Sequence, residues 1–436
     1  MAATAKKTSK KKTGKTKGSS TLKTTPLLAR EATKPAEAPA DLSSAIADYA
    51  ASFNSEGVKY VATADEAPNT YILRRPCGIT QLDIDTGGGL PAGGMSVLSG
   101  PDNAGKTFLL YKYMAMHQRI YRADASIAFA TVEGAFDFRR AINAGMRVPI
   151  PDEMLAQQDQ WLLSRGLPVM TAEERAYHKQ CVGSFVILRA DTGEQLLEMV
   201  LEGCKRRLFH IIGVDSLSML LPEVDAAKDV GERQKLGSRA TLQTDFQLKY
   251  TPTTSGLHGV NPTTLIALNQ VRANTERANA PGPQQKYIKE WRPTGAYSIR
   301  HGKLVDVQIW GGAKLKRTVN GSEVVAGKEL KWEITKGKAG THDNIQGAVS
   351  FWYEEHLPAG TDDLDTLIAA GWQLGCIANS TGAKVVVINS TSKKQTSLSG
   401  PNMATFKRMM AADPDFELAV RAEVMNAAGI QCLYRL

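Results

Sequence analysis

The stretch Met95-Ser96-Val97-Leu98-Ser99-Gly100-Pro101-Asp102-Asn103-Ala104-Gly105-Lys106-Thr107 decides how the rest of the chain is read. Its last eight residues fit G-x-x-x-x-G-K-[ST] at every fixed position. An apolar run precedes them, and Leu110, Tyr113, Met114 and His117 follow at helical spacing. The reading is strand, loop, helix. Glycines there let the backbone wrap phosphate groups with its N–H donors, and the helix N-terminus adds a favourable dipole. Gly100, Pro101, Asp102, Asn103, Ala104, Gly105, Lys106 and Thr107 are therefore candidates for binding ATP. Lys106 would reach the β- and γ-phosphates, and Thr107 would hold Mg²⁺.

Other short apolar runs alternate with helical stretches: Ile127–Val132, Phe185–Leu188, Ile211–Val214 and Leu265–Leu268. Such alternation implies βαβ units and a mostly parallel central sheet, an α/β fold. Three later runs, Val305–Trp310, Leu330–Lys336 and Val349–Tyr353, follow closely enough to suggest antiparallel edge strands. Asp215 ends one strand and is the second candidate Mg²⁺ ligand. Glu133 ends another and could polarise water, or could be a solvated strand-end acid. Asn269-Gln270 ends a third, where a neutral amide could touch a γ-phosphate or simply form a turn.

The chain has 436 residues and a formal charge of +9. Lys6, Lys7, Lys10, Lys11, Lys12, Lys15, Lys17, Lys23 and Arg30 account for all of it, so the rest of the chain is formally neutral. Residues 1–40 are expected to be a disordered Lys-rich tail, either an arm for nucleic-acid phosphates or a solubilising or targeting tail. Neither a secretory signal nor a run long enough to cross a membrane is evident. Five scattered cysteines without a C-x-x-C pair read as buried small hydrophobes in a reducing compartment. Residues 41–77 hold a short amphipathic helix, with Leu42, Ile46, Tyr49 and Phe53 on one stripe. The core is expected at 78–358, with a polar, helix-prone insertion at 148–183. Residues 359–436 read as a small, mostly helical C-terminal α/β unit. It carries an apolar run (Val385–Ile388), a Ser/Thr/Lys-rich stretch (Ser390–Ser399) and a helical pattern from Met403 onward.

Taken in order, these residues resemble the RecA family of DNA recombinases over about 42–375. Leu90-Pro91 precedes the loop, Ala128–Glu133 resembles the strand of the catalytic Glu, and Asp191-Thr192-Gly193-Glu194-Gln195 resembles a stretch before the Mg²⁺ strand, Val214-Asp215-Ser216. Leu268–Arg272 resembles the strand whose Gln senses the γ-phosphate. The resemblance implies a RecA-like ATPase core with Glu133, Lys106 and Gln270 as catalytic residues and Asp137 at the adenine. The family's aromatic three residues on is here Arg140, with Phe138 as a substitute. Ile334-Thr335-Lys336-Gly337-Lys338 resembles the segment that lends two lysines to a neighbour's ATP. Residues 42–59 resemble the helix and Phe-containing turn by which subunits dock. Beyond 375, Gly400-Pro401, Phe406, Phe416 and Gly429 resemble the T4-type, UvsX-like phage recombinases.

In such a fold two loops would face DNA. The first, about 223–237, mixes acids with Lys228, Arg233 and Lys235. The second, about 272–303, carries Arg272, Arg277, Lys286, Lys289, Arg292, Arg300 and Lys303 among Tyr287, Trp291 and Tyr297. Cations that track phosphates and rings that stack on bases suit single-stranded DNA, with Trp291 a candidate wedge. The resemblance thus implies a cytoplasmic, ATP- and Mg²⁺-dependent protein of a bacterium or phage-infected host. It would form helical filaments on single-stranded DNA and exchange strands with homologous duplex DNA. Loader and single-strand-binding proteins would be its partners, and no membrane is implied. A ring helicase motor and a non-catalytic accessory protein remain the alternatives.

Overall fold

In the computed structural model the described residues are 42–53, 73–132, 136–166, 168–229, 237–254, 263–274, 291–294, 296–319, 321–338, 340–353, 360–380 and 382–430, with positions 276, 279 and 282. Helix Leu42–Phe53 closes a first unit, and everything from residue 54 onward belongs to a second. In that helix Tyr49 is exposed.

A two-residue ribbon, β1 (Arg74–Arg75) against β2 (Leu90–Pro91), leads into the core. The remaining core strands are β3 (Met95–Gly100), β4 (Ser126–Thr131), β5 (Ser184–Arg189), β6 (Ile211–Asp215), β7 (Thr264–Ala273), β8 (Trp291–Pro293), β9 (Val305–Val319), β10 (Ser322–Gly337), β11 (Ile345–Trp352) and β12 (Gly360–Asp362). They form one sheet in the order β12-β11-β10-β9-β3-β7-β6-β4-β5, with β8 added to β7. Strands β9, β3, β7, β6, β4 and β5 run parallel, and β10, β11, β12 and β8 are antiparallel. The mostly parallel α/β fold expected from the sequence is present. The run at Val305–Trp310 departs from expectation, because it pairs parallel with β3. Helix Tyr297–Gly302 precedes it and makes the connection a crossover, which a parallel pair requires.

The alternation of side chains across the sheet explains why both faces are covered. Leu98, Phe129, Ile266, Leu268 and Val307 join one apolar cluster with Leu109, Leu110, Tyr113 and Met114 of helix Lys106–Tyr121. Val97, Ala128, Val214, Leu265 and Ala267 join the other, with Leu196, Val200 and Leu201 of helix Gly193–Lys205 and Phe246 and Tyr250 of helix Ser238–Thr254. Each fully buried Leu, Ile or Phe contributes about 1.5–3 kcal/mol relative to exposure. Gly213 is required where helix Lys106–Tyr121 crosses β6, since a Cβ there would lie 2.6 Å from Met114 and 2.8 Å from Leu110.

The insertion forms two helices, Asp152–Ser164 and Ala172–Lys179, joined by the Lys179–Asp152 pair at 2.6 Å and an Arg175–Asp159 pair. Cys77, Cys204 and Cys376 are buried as expected, whereas Cys181 is only half-buried. Beyond the core, β13 (Ile377–Asn379), β14 (Val385–Ile388) and β15 (Gln395–Gly400) make an antiparallel sheet. Helices Leu364–Gln373, Met403–Ala412 and Pro414–Ala427 pack on it through Leu367, Phe406, Val420 and Val424. Part of the Ser/Thr/Lys-rich stretch is therefore a strand. Among the described residues no helix is long and apolar enough to cross a membrane.

This last unit is fastened by buried charge. Arg421, 1% exposed, donates to Glu417 Oε1 at 2.5 Å, to Asp363 Oδ2 at 2.9 Å and to Thr80 Oγ1 at 2.8 Å. Arg119 adds a contact to Glu417 at 2.5 Å. Burial raises the Glu417 pKa, but Arg421 and Arg119 outweigh it and hold the carboxyl at about 2, below its ordinary 4.5. Asp363 is pushed up by burial, only partly offset by Arg421 and Thr80. A depressed carboxylate gives stability that is present above its unfolded pKa and lost as pH falls toward its folded one. Glu417→Gln is therefore expected to flatten the loss of stability between pH 4.5 and 2 in paired urea titrations. Parallel acid limbs in the two proteins would contradict this.

Candidate active site

The parallel strands all end at one edge, and that edge carries the candidate site. Their register sets Gly100 beside Gln270 and Thr131 beside Asp215. The phosphate loop turns off β3 and enters helix Lys106–Tyr121 at Gly105, whose φ of +102° only glycine adopts readily. A Cβ there would also sit 2.8 Å from Leu330. Loop, helix start, Thr131, Asp137, Asp215 and Gln270 line one cleft of about 860 Å³.

At its centre Thr107 Oγ1 donates to Asp215 Oδ2 at 3.0 Å. A hydroxyl and a carboxylate at that separation suit Mg²⁺, which takes few protein ligands and keeps water and phosphate oxygens for the rest. Lys106 Nζ arches over the loop and donates to the Gly100 and Pro101 carbonyls at 2.9 and 2.7 Å. Lys328, which the sequence reading did not single out, also lines the cleft and donates to the Asn103 carbonyl at 2.5 Å. Burial lowers its pKa. Its sequence, polar and apolar residues mixed along β10, holds no signal of that position.

Asp137 also lines the cleft, as do Arg140, Tyr353 and Trp352. Its carboxylate caps helix Phe138–Asn143 by accepting from the Arg140 N–H at 3.1 Å, and pairs with the Arg140 side chain at 3.2 Å. Phe138 does not substitute for a cleft aromatic: it packs edge-on to Phe136 at 5.0 Å, against the core. Arg140 is the group that faces the cleft.

Asn269 does not line the cleft either. It is 3% exposed and bonds Thr294 on the returning end of the second loop, donating to the Thr294 carbonyl at 2.7 Å. Strand β7 continues past Gln270 as far as Ala273, where β8 pairs back on it, Arg272 opposite Arg292 and Ala273 opposite Trp291. Arg272 is exposed. The side chains of Trp291 and Arg292 lie outside the described detail, as do Glu133, Arg277, Lys286 and Lys289 altogether. Lys303 is no DNA contact: it is 4% exposed and pairs with Asp306 at 2.5 Å. In the first loop Lys228 pairs with Asp225 at 2.7 Å, so part of its charge is internally matched.

Lys336 and Lys338 stand at the opposite end of the sheet from their own cleft, because Lys336 pairs with Asp306 and Gly337 with Val305, beside the start of β3. Lys336 Nζ donates to the Arg300 carbonyl and, at 3.1 Å, to that of His301, which Lys338 also reaches at 3.2 Å. Burial, then Lys338 and Lys303, lower the Lys336 pKa to about 8.

A P-loop sequence on a mostly parallel sheet, with a threonine and a strand-end aspartate hydrogen-bonded beside it, defines an α/β core of RecA-like architecture. The curated relatives agree. The chain is 25% identical over 276 residues to protein RecA of Oleidesulfovibrio alaskensis, 63% of each chain. It is 27% identical over 264 residues to protein RecA of Bacteroides thetaiotaomicron, 60% of this chain and 64% of that one. A mitochondrial DNA repair protein recA homolog of Dictyostelium discoideum is 28% identical over 198 residues, 45% of this chain and 34% of its own. The chain thus spans less than two thirds of the length of each of these relatives. No protein-family model matches it. What these relatives share with the chain is sequence similarity to proteins named RecA over about 45–63% of its length.

Proposed function

We propose that this protein is an ATP-dependent recombinase that assembles into helical filaments on single-stranded DNA and exchanges strands with a homologous duplex. A UvsX-like, phage subtype is part of the proposal and rests on the C-terminal pattern alone. The observation that carries the reading is the shared sheet edge: β7 brings Gln270 beside the phosphate loop and then runs directly into the basic, aromatic loop. One strand thus joins a nucleotide cleft to a candidate DNA contact.

In this reading the loop N–H groups, Lys106 and the helix N-terminus hold the phosphates of ATP. Mg²⁺, held by Thr107 and Asp215, would supply charge neutralisation at the β- and γ-oxygens. Glu133, two positions beyond β4 in the sequence, would accept a proton from the attacking water. Asp137 and Arg140 would meet the base, with Arg140 offering a planar cation as a stacking face. Lys336 and Lys338, remote from their own cleft, would contribute to the ATP of the next protomer. Arg272, Arg277, Lys286, Lys289, Trp291, Arg292 and Arg300 would engage the DNA strand. Gln270 would contact the γ-phosphate, and its position would set the order of that loop. Two sites and one element with two arrangements meet the requirement for allostery.

Gln270→Ala is the direct test of the coupling. It is expected to bind ATP normally and to hydrolyse it slowly, with no acceleration by single-stranded DNA. Stimulation equal to that of the unaltered protein would remove Gln270 from the coupling.

A further inference from the structure

Beyond Gln270, β7 runs on to Ala273 and the chain returns along β8 to Thr294, and the base of this ribbon is fastened across. Asn269 Nδ2 donates to the Thr294 carbonyl at 2.7 Å. The Thr294 hydroxyl lies 2.9 Å from both Asn269 Oδ1 and the Gln270 carbonyl, so its one proton serves either. The Thr294 N–H donates to that same Gln270 carbonyl at 3.0 Å. Thr294 therefore bonds Gln270 through its N–H and Asn269 through its carbonyl, and its hydroxyl adds a second bond to one or the other. Three ladder pairs continue outward from this point, Val271 with Pro293, Arg272 with Arg292 and Ala273 with Trp291.

The surroundings of the clasp are fixed. Asn269 sits beside Ser99 in β3, which bonds the buried Asp306 at 3.1 Å. Just past Thr294 the Ala296 N–H donates to Gln243 Oε1 at 2.8 Å, and Gln243 in turn donates to the Leu217 carbonyl at 2.8 Å. The chain is thus anchored on both sides of a short antiparallel ribbon, and the ribbon begins at the residue next to the phosphate loop. A change in the Gln270 backbone reaches Trp291 along the ladder only as far as Thr294 follows it.

We propose that Asn269 and Thr294 are positioning residues that transmit the position of Gln270 to the DNA-contacting ribbon. The inference rests on the reading of Gln270 given above. A buried amide matched to a hydroxyl also serves simple loop closure, and that role would alter stability without altering the dependence of DNA binding on nucleotide.

The test measures binding of a fluorescein-labelled oligothymidylate by anisotropy, with Mg²⁺, in the presence and absence of a non-hydrolysable ATP analogue. Thr294→Val, Thr294→Ser, Asn269→Ala, the Asn269→Ala/Thr294→Val pair and Gln270→Ala are compared with the unaltered chain. Coupling between sites of this kind is worth roughly 5–150-fold in affinity. Thr294→Val and Asn269→Ala are expected to lose at least about fivefold of the analogue-induced gain while keeping the analogue-free affinity. Thr294→Ser restores the gain, and the double variant loses no more than either single one. A gain unchanged in Thr294→Val, a Thr294→Ser as defective as Thr294→Val, or an equal loss with and without the analogue overturns the proposal. Gln270→Ala separates the two layers: a gain lost there but intact in Thr294→Val refutes the clasp alone, and a gain intact in Gln270→Ala refutes the reading beneath it.

Discussion

Lys106→Ala is expected to abolish ATP hydrolysis while leaving the fold intact. The ammonium sits at the mouth of the phosphate loop, bonded at 2.9 and 2.7 Å to the Gly100 and Pro101 carbonyls. In the proposed reading that ammonium would turn from the carbonyls to a β- or γ-phosphate oxygen, where charge develops during transfer. Removing one preorganised donor from such a position typically costs 10²–10³ in rate, about 2.7–4 kcal/mol. Loss of a phosphate anchor also weakens ATP binding, so the effect appears in both kcat and KM. The assay is steady-state hydrolysis with single-stranded DNA, beside a thermal melt to establish that the variant is folded. Normal turnover in a folded variant would refute the phosphate-loop assignment.

The second large effect falls on stability. Arg421→Met removes a cation that is 1% exposed and takes from both Glu417 and Asp363 the guanidinium they share. Breaking a buried pair by deleting one partner costs roughly 3–5 kcal/mol, because the remaining charge has lost both water and its counterion. Here two acids lose it at once, although Arg119 still reaches Glu417. The C-terminal unit is expected to detach early in urea, with a lowered midpoint followed by fluorescence. The neighbouring Arg122–Asp415 pair supplies the contrast. Its side chains are 69% and 68% exposed, so Arg122→Met is expected to cost about 0–1 kcal/mol. Equal effects of the two substitutions would contradict this account of the junction.

Particular residues mark what could be read from the sequence. The phosphate loop is a local pattern, and its strand–loop–helix setting was visible in the residues on either side. Asp215 and Gln270 were visible as strand ends, since an apolar run followed by a polar residue marks the edge of a parallel sheet. Their lateral order was not visible, because nothing in the local pattern places β3 between β7 and β9. Helix Tyr297–Gly302 was hidden within a basic loop, and with it the crossover that makes β9 parallel. The hairpin of β9 and β10 extends well past its apolar runs, as the exposed Lys314, Lys316 and Glu323 give it no core face to signal.

Charge was the least legible feature. Lys303 was counted with the loop cations but is buried against Asp306, and Arg421 carried no sign that it holds the C-terminal unit in place. Both depend on partners brought near by the fold, and a count of charges along a loop is blind to burial. Asn269 shows the same limit from the other side. Its place next to Gln270 suggested the phosphate, whereas its partner, Thr294, lies 25 residues further on.

The most direct measurement is negative-stain electron microscopy of the full chain with single-stranded DNA, Mg²⁺ and a non-hydrolysable ATP analogue. Regular helical filaments that require both DNA and nucleotide are the expected result, with Lys336→Ala and Lys338→Ala weakening them. Closed rings, or protein that stays unassembled with both ligands present, would contradict the account.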